Sequence, residues 1–269
     1  MIRQLYYSLT PCCRRFIRRL FFLPYDCFAI FKRKDKLVPP KGKTNIGRGN
    51  FVETGNKFFN DIVYECKIKS ESKVLDVGCG LGRISRPFTT LINGLGEYHG
   101  FDILKNEINW CQKKYNKHPQ FRFYCYPVKN DLYLPKCDTE AKDFVFPFKP
   151  NYFDAVFVIS VFTHMQPNAV ENYLNQINKV LKPGGYCYSS FFIADENKNH
   201  ELFPYVFEEY CLHHPKIKNA NVAYRRDYLF EMTKNSGFDI IKEKTGWWKN
   251  QNPKSAFDFQ DIVILKKSN

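Results

Sequence analysis

The chain of 269 residues contains no window of about eighteen apolar, uncharged residues, so nothing in it reads as a membrane-spanning helix. Its ten cysteines are dispersed and form no C-x-x-C pair, which speaks against a disulfide scaffold and for free thiols in a reducing, cytoplasmic setting. A G-x-x-x-x-G-K-[ST] loop is absent, so a nucleoside triphosphate is not indicated, and the G-x-G-x-x-G dinucleotide fingerprint is absent too. No cluster of His, Cys, Asp and Glu has the spacing of a metal site.

Acids are scarce in the first fifty positions. Residues 1–49 carry twelve Lys/Arg against Asp26 and Asp35, a balance of +10 out of the formal +14, which leaves the other 220 residues at +4. The basicity belongs to an arm rather than to the body, and a nucleic-acid partner is therefore unlikely on charge grounds. Within the arm, Arg14 to Leu23 (RRFIRRLFFL) places four arginines on one arc of a helix and Phe16, Ile17, Leu20 and Phe21 on the other, with Pro24 expected to end the helix. A second apolar stretch, Cys27 to Phe31, runs into Lys32-Arg33-Lys34. Three readings compete: a helix packed on the body with its arginines in water, attachment of residues 14–34 to an anionic membrane surface, or an organelle presequence. The pair Cys12-Cys13 beside this segment is a candidate for acylation. Residues 37–50, rich in Pro, Gly and Lys, read as a linker or strap.

From residue 50 to 269, strands and helices alternate, which predicts one large α/β domain with a mostly parallel sheet covered on both faces. Helices are expected over 54–66, 82–92 (disturbed by Pro87), 105–117, 168–181 and 226–236. Strands are expected over 73–77, 97–101, 121–125, 153–160, 186–193, 238–244 and 261–265, with a turn at Lys182-Pro183-Gly184-Gly185. Residues 194–224, long, polar and aromatic, read as a lid over the carboxyl edge of the sheet.

The first strand enters VLDVGCGLGR (Val74 to Arg83), with three glycines within five residues. Such a turn lets the backbone approach a ligand at the carboxyl end of a parallel strand. Its G-x-G-x-G spacing favours a cofactor without a pyrophosphate.

This run, Phe101-Asp102 at the end of the second strand, FDAVFVIS before VFTHM, and LKPGG before the fifth strand together resemble the class I S-adenosylmethionine-dependent methyltransferases. The likeness is close over residues 70–195, and WCQKKY, SVFTHM and GWW…QDIV look like a bacterial-type subset acting on small substrates, some in surface polysaccharide synthesis. The resemblance implies a Rossmann-like, doubly wound, seven-stranded sheet and S-adenosylmethionine as cofactor. It implies that Asp76 anchors the turn or the methionine ammonium, that Gly78, Cys79, Gly80 and Gly82 form the cradle, and that Asp102 accepts both ribose hydroxyls. Ile103 and Val128 would flank the adenine, and Ser160 and Val161 would face the cofactor from the fourth strand. The loop after the third strand departs from the family pattern: it reads Tyr126-Pro127-Val128, and either backbone atoms or Asn130 would replace the missing polar contact to adenine.

A hydroxyl acceptor needs a base, and His164 is the first candidate, with an ordering role as the alternative; His213, His214 and Glu53 are weaker ones. Trp247-Trp248 is either a stacking wall or core packing. The expected activity is O-methylation of a sugar, glycan or other small-molecule hydroxyl. The competing readings are a nucleic-acid methyltransferase, disfavoured by the near-neutral body and the lack of an Asn/Asp-Pro-Pro-Tyr tetrapeptide, and a non-catalytic cofactor-binding protein tethered to a membrane.

Overall fold

Along Lys73–Val77 (β1) successive side chains turn to opposite faces: Leu75 and Val77 join one apolar cluster and Val74 the other. The same alternation sorts Val156 and Val158 from Ala155 and Phe157 on Phe153–Val158 (β4). A sheet apolar on both faces needs cover on both, and the helices supply it. The computed structural model describes residues 9–32, 35–44, 49–195, 201–249 and 252–268. Residues 33–34 of the basic segment, 45–48 of the linker and 196–200 of the expected lid lie outside the described residues.

The remaining strands are Glu97–Asp102 (β2), Phe121–Cys125 (β3), Leu181–Phe191 (β5), Ile193–Ala194 (β6), Tyr205–Val206 (β7), Tyr210–Leu212 (β8), Val222–Arg225 (β9), Phe238–Lys244 (β10) and Asp261–Lys267 (β11). Seven of the eleven strands form the main sheet in the order β10-β11-β5-β4-β1-β2-β3, parallel from β5 through β3, with β11 antiparallel to both β5 and β10. This is the expected doubly wound α/β architecture.

Pro11–Lys32 is α1, and Phe51–Glu65 (α2) starts where the Asn50 side chain accepts the Val52 and Glu53 N–H groups. With Ser85–Phe88 (α3) and Lys105–Lys114 (α4), α2 covers one face through Phe58, Ile62, Phe88 and Ile108. Pro167–Val180 (α5), opened by proline in its first turn, and Arg226–Asn235 (α6) cover the other through Val170, Leu174, Ile177 and Leu229.

Four expectations fail locally. The helix over 82–92 shrinks to one turn, because Pro87 brings no N–H and the Thr89 and Thr90 hydroxyls donate to the Arg86 and Pro87 carbonyls instead. The turn at 182–185 lies inside β5, whose register against β4 shifts between Phe153 and Ala155 to absorb it. Strand β4 stops at Val158, since Ser160 takes a left-handed φ of 58°. Helix α1 passes through Pro24, which lies on its exposed side, and continues with one helical hydrogen bond fewer. The excursion after β5 folds into its own sheet, in the order β6-β9-β8-β7.

Phe157 is fully buried and stacks on Phe88 at 5.4 Å between centroids. Phe157→Ala should lower the unfolding free energy by about 3–5 kcal/mol. Phe16→Ala, at a site 62% exposed, should change it by no more than about 0.5 kcal/mol. Urea titration distinguishes the two, and equal losses would contradict the packing described.

Candidate active site

Two glycines of the turn after β1 have different physical reasons. Gly78, at φ +78°, has no room for a side chain: a Cβ there would lie 2.3 Å from Val161 Cγ2. Gly80, at φ +53°, has only open space where its Cβ would be. Gly82 packs behind the turn on Tyr115 and lines neither chamber described below. The turn is pinned to the next strand, where Phe101 O accepts the Gly78 and Cys79 N–H groups at 2.8 and 3.0 Å and Asp102 Oδ2 accepts Gly80 N–H at 2.9 Å.

Two chambers meet at the tips of β1 and β4, sharing Gly78, Ile159 and Ser160. The larger, about 720 Å³, is walled by Asp102, Ile103, Val128, Val161 and His164, with Tyr210 and Asn219 reaching in from the small sheet and its loop. The smaller, about 280 Å³, holds Asp76, Cys79, Gly80, Arg83, Glu107 and Asp258, with Phe51, Phe58, Phe192 and Phe259 as its aromatic lining. The excursion 194–224 thus reaches both chambers, through Asn219 and Asn221.

Asp102 is buried and gives one lone pair of each oxygen to a backbone N–H, Gly80 and Leu104, both at 2.9 Å. Burial raises its pKa, and these two bonds, with a lesser contribution from the Ile103 N–H, oppose the rise. A carboxylate has about four acceptor positions, so two remain for hydroxyls, as a ribose would require. Asp76 is pushed up to about 7, chiefly by burial and also by the Asp102 charge, although the Tyr98 hydroxyl donates to it. Glu107 Oε2 is buried with no hydrogen-bond partner among the described residues. Burial and Asp102 raise the pKa of Glu107. The open space at Gly80, the spare acceptor positions of Asp102 and this orphaned oxygen fit a bound group carrying hydroxyl and ammonium donors. Cys79 is buried against Gly100 and Cys111, and burial lifts its thiol well above the ordinary range, so it fills space as a neutral side chain.

Ser160 donates from its backbone N–H to Ser190 Oγ at 2.7 Å and from its hydroxyl to Gln260 Oε1 at 3.0 Å, which fixes its unusual backbone. His164 places Nδ1 3.0 Å from the Asn219 carbonyl, and burial lowers its pKa. Its ring is neutral near pH 7 and belongs to the larger chamber. Asn130 spends its amide locally, accepting from Leu132 and Tyr133 N–H and donating to the His164 carbonyl, so its backbone and the apolar Val128 are what it offers an adenine.

Other expected residues lie elsewhere. His213 bonds the Leu202 carbonyl, His214 accepts the Lys216 and Ile217 N–H groups, Glu53 is exposed, and none of the three lines a chamber. Trp248 is core: it packs on Phe192 and Phe203, and its indole donates to Asp261, whose carboxylate also accepts the Ile193 and Gly246 N–H groups. Trp247 packs on Phe259. Sequence reasoning missed Glu107, Asp258, Asn221 and Gln260. Only Glu107, an acid on the inner face of a predicted helix, carried a signal, whereas the others sit in irregular segments.

A family model described as a methyltransferase domain matches residues 75–189. The chain is 30% identical over 183 residues to the ubiquinone/menaquinone biosynthesis C-methyltransferase of Wigglesworthia glossinidia brevipalpis, covering 65% of this chain and 64% of that protein. It is 29% identical over 192 residues to the sterol 24-C-methyltransferase of Clavispora lusitaniae, covering 68% of this chain and 44% of that one. The match thus spans less than two thirds of the length of these curated relatives. Among solved structures, a SAM-dependent methyltransferase from Methanosarcina mazei superposes with a TM-score of 0.54 at 18% identity, over 77% of this chain and 97% of that one, and shares the fold.

Gly80→Ala should fold, at a cost of about 1–2 kcal/mol for its left-handed backbone, yet lose ligand binding in the chamber, whereas Gly78→Ala should lose stability beyond that through its clash with Val161. Thermal melts with calorimetric titration of S-adenosylmethionine separate the two. Asp76 binds its proton more tightly folded than unfolded, so its contribution to stability is fully present below about pH 4 and is lost as pH rises through about 7. The stability of Asp76→Asn relative to the parent should therefore improve from pH 5 to pH 8; a flat difference would place the raised pKa elsewhere.

Proposed function

The chain belongs to the class I S-adenosylmethionine-dependent methyltransferases, and from that premise we propose that it methylates a hydroxyl carried on a small, largely apolar ring. The observation that carries this reading is the smaller chamber, whose lining combines four phenylalanines with the carboxylate of Asp258 and extends to the turn at Gly78. Of the small-molecule hydroxyls expected from the sequence, such a lining suits an apolar ring better than the polyol of a glycan. The relatives named above are, by their names, a C-methyltransferase of ubiquinone/menaquinone biosynthesis and a sterol 24-C-methyltransferase, so both transfers are to carbon. Here the acceptor atom is taken to be oxygen.

When bound, S-adenosylmethionine supplies an electrophilic methyl group whose bonding electrons return to sulfur as the methyl leaves. Asp102 would hold its ribose hydroxyls and Ile103 and Val128 its adenine, while Asp76, Glu107 and the Gly80 N–H region receive the amino-acid end and Arg83 offers its carboxylate a cation. Residues of both chambers would thus hold the donor, and Gly78 and Ser160 are common to the two. The acceptor then enters the aromatic part of the smaller chamber, and its walls align the hydroxyl and exclude water. Asp258 takes the hydroxyl proton. Burial raises its pKa and so makes its carboxylate a stronger base than an exposed one, with Lys57 and Arg83 keeping it ionisable. His164, held by the Asn219 carbonyl and supported through its own carbonyl by Asn130, orders the loop after β4.

Incubation with methyl-labelled S-adenosylmethionine and separate panels of phenols, sterols, sugars and RNA tests the reading. Label is expected in the phenol or sterol panel, at an alkali-stable ether. Asp258→Asn should lower kcat by about 10²–10⁴ and remove the acid limb of the pH profile, with donor affinity unchanged. His164→Ala should keep that limb. The reverse pattern would return the role of base to His164, and label confined to sugar or RNA would overturn the acceptor class.

A further inference from the structure

Helix α1 is mounted inside out. At 100° per residue, Leu23, Phe16, Cys27, Leu20, Pro24, Ile17, Phe28 and Phe21 occupy a continuous arc of roughly 160° that contains no charge. All eight are exposed, Phe21 at 76% and Phe28 at 65%. The half-buried side of the helix carries Arg14, Arg15, Arg18, Phe22 and Asp26. A helix held to a protein body by the hydrophobic effect shows the opposite arrangement.

What holds it in this orientation is polar. The Asp26 carboxylate accepts the Lys41 and Gly42 N–H groups at 2.7 and 2.8 Å, and Gly42 lies so close that a Cβ would approach Arg19 Cα to 3.2 Å. Residues 35–44 form a strap from the helix to the body, fastened by Asp35 to Arg86 at 2.6 Å and by the Lys43 ammonium over the Trp110 ring.

We propose that α1 seats this protein on an anionic lipid bilayer, with the apolar arc in the acyl boundary and the arginines beside it at headgroup level. Charge selects this occupant. Residues 1–49 carry +10, and Arg14 and Arg19 border the arc, so two copies pairing through it would set like charges against each other, whereas an anionic surface is complementary to them. Among the described residues no helix is long and apolar enough to cross a membrane, so the contact is peripheral. The proposal stands on the helix alone and does not depend on the identity of the methyl acceptor.

The test is flotation of the full chain with vesicles of phosphatidylcholine alone or with about 30% phosphatidylglycerol. The chain should float with the anionic vesicles and not with the neutral ones, and raised salt should weaken the association. The paired substitution Phe16→Ser and Phe21→Ser, at exposed positions, should reduce flotation at least about tenfold while leaving the thermal midpoint unchanged. Light scattering without lipid tests the other occupants. Unchanged flotation of the double variant overturns the proposal. So does a dimer that the same substitutions convert to a monomer, which would make the arc a subunit interface, or a free chain in which the arc becomes protected from solvent by residues 1–8.

Discussion

The hydrogen bonds that tie the glycine turn to the tip of β2 are the constraint on which the site rests. Phe101 O and the Asp102 carboxylate receive three successive backbone N–H groups, those of Gly78, Cys79 and Gly80. They hold the chain in a bend that glycine follows at φ +78°, and Val161 occupies the place a side chain at 78 would need. The same carboxylate thereby comes to stand at the floor of the larger chamber with half of its acceptor capacity unspent. Structural and binding roles are thus carried by one group, and Asp102 cannot be replaced without disturbing both.

The distribution of acids follows the same division. Glu97, at the amino end of β2, is surrounded by the Lys73 ammonium, the Tyr152 hydroxyl, His99 and Arg122, and despite burial it is held down to about 2. At the carboxyl edge, burial wins. Asp76, Asp102, Glu107 and Asp258 are all shifted upward, and none has a partner network as dense as that of Glu97. One end of the sheet spends its acids on cohesion, and the other keeps them short of compensation. Asp261 is raised too, to about 6, by burial, although three donors use it in fixing Trp248 and the start of β6.

Periodicity made the sheet legible, because each central strand must be apolar on both faces and each covering helix on one. The turn residues and Asp102 were legible for the same reason, since they sit at fixed offsets from strands that declare themselves. Asp258 and Gln260 were not. They reach the chamber only because β11 runs antiparallel beside β5, which brings a segment about 180 residues distant from the glycine turn to its side, and an irregular loop has no period to announce it. The arc of α1 was visible as a pattern, but a pattern has two sides and does not say which one meets the body. That was decided by the single carboxylate of Asp26 on a bend fifteen residues downstream. Pro24 misled by suggesting an end, where an exposed position let the helix forgo one bond and continue.

Ser160 belongs to both chambers, and its conformation is fixed by Ser190 on one side and Gln260 on the other. A partition shared in this way makes the two compartments thermodynamically interdependent. Any affinity that a molecule on one side gains from occupancy of the other must be returned to its neighbour in equal measure.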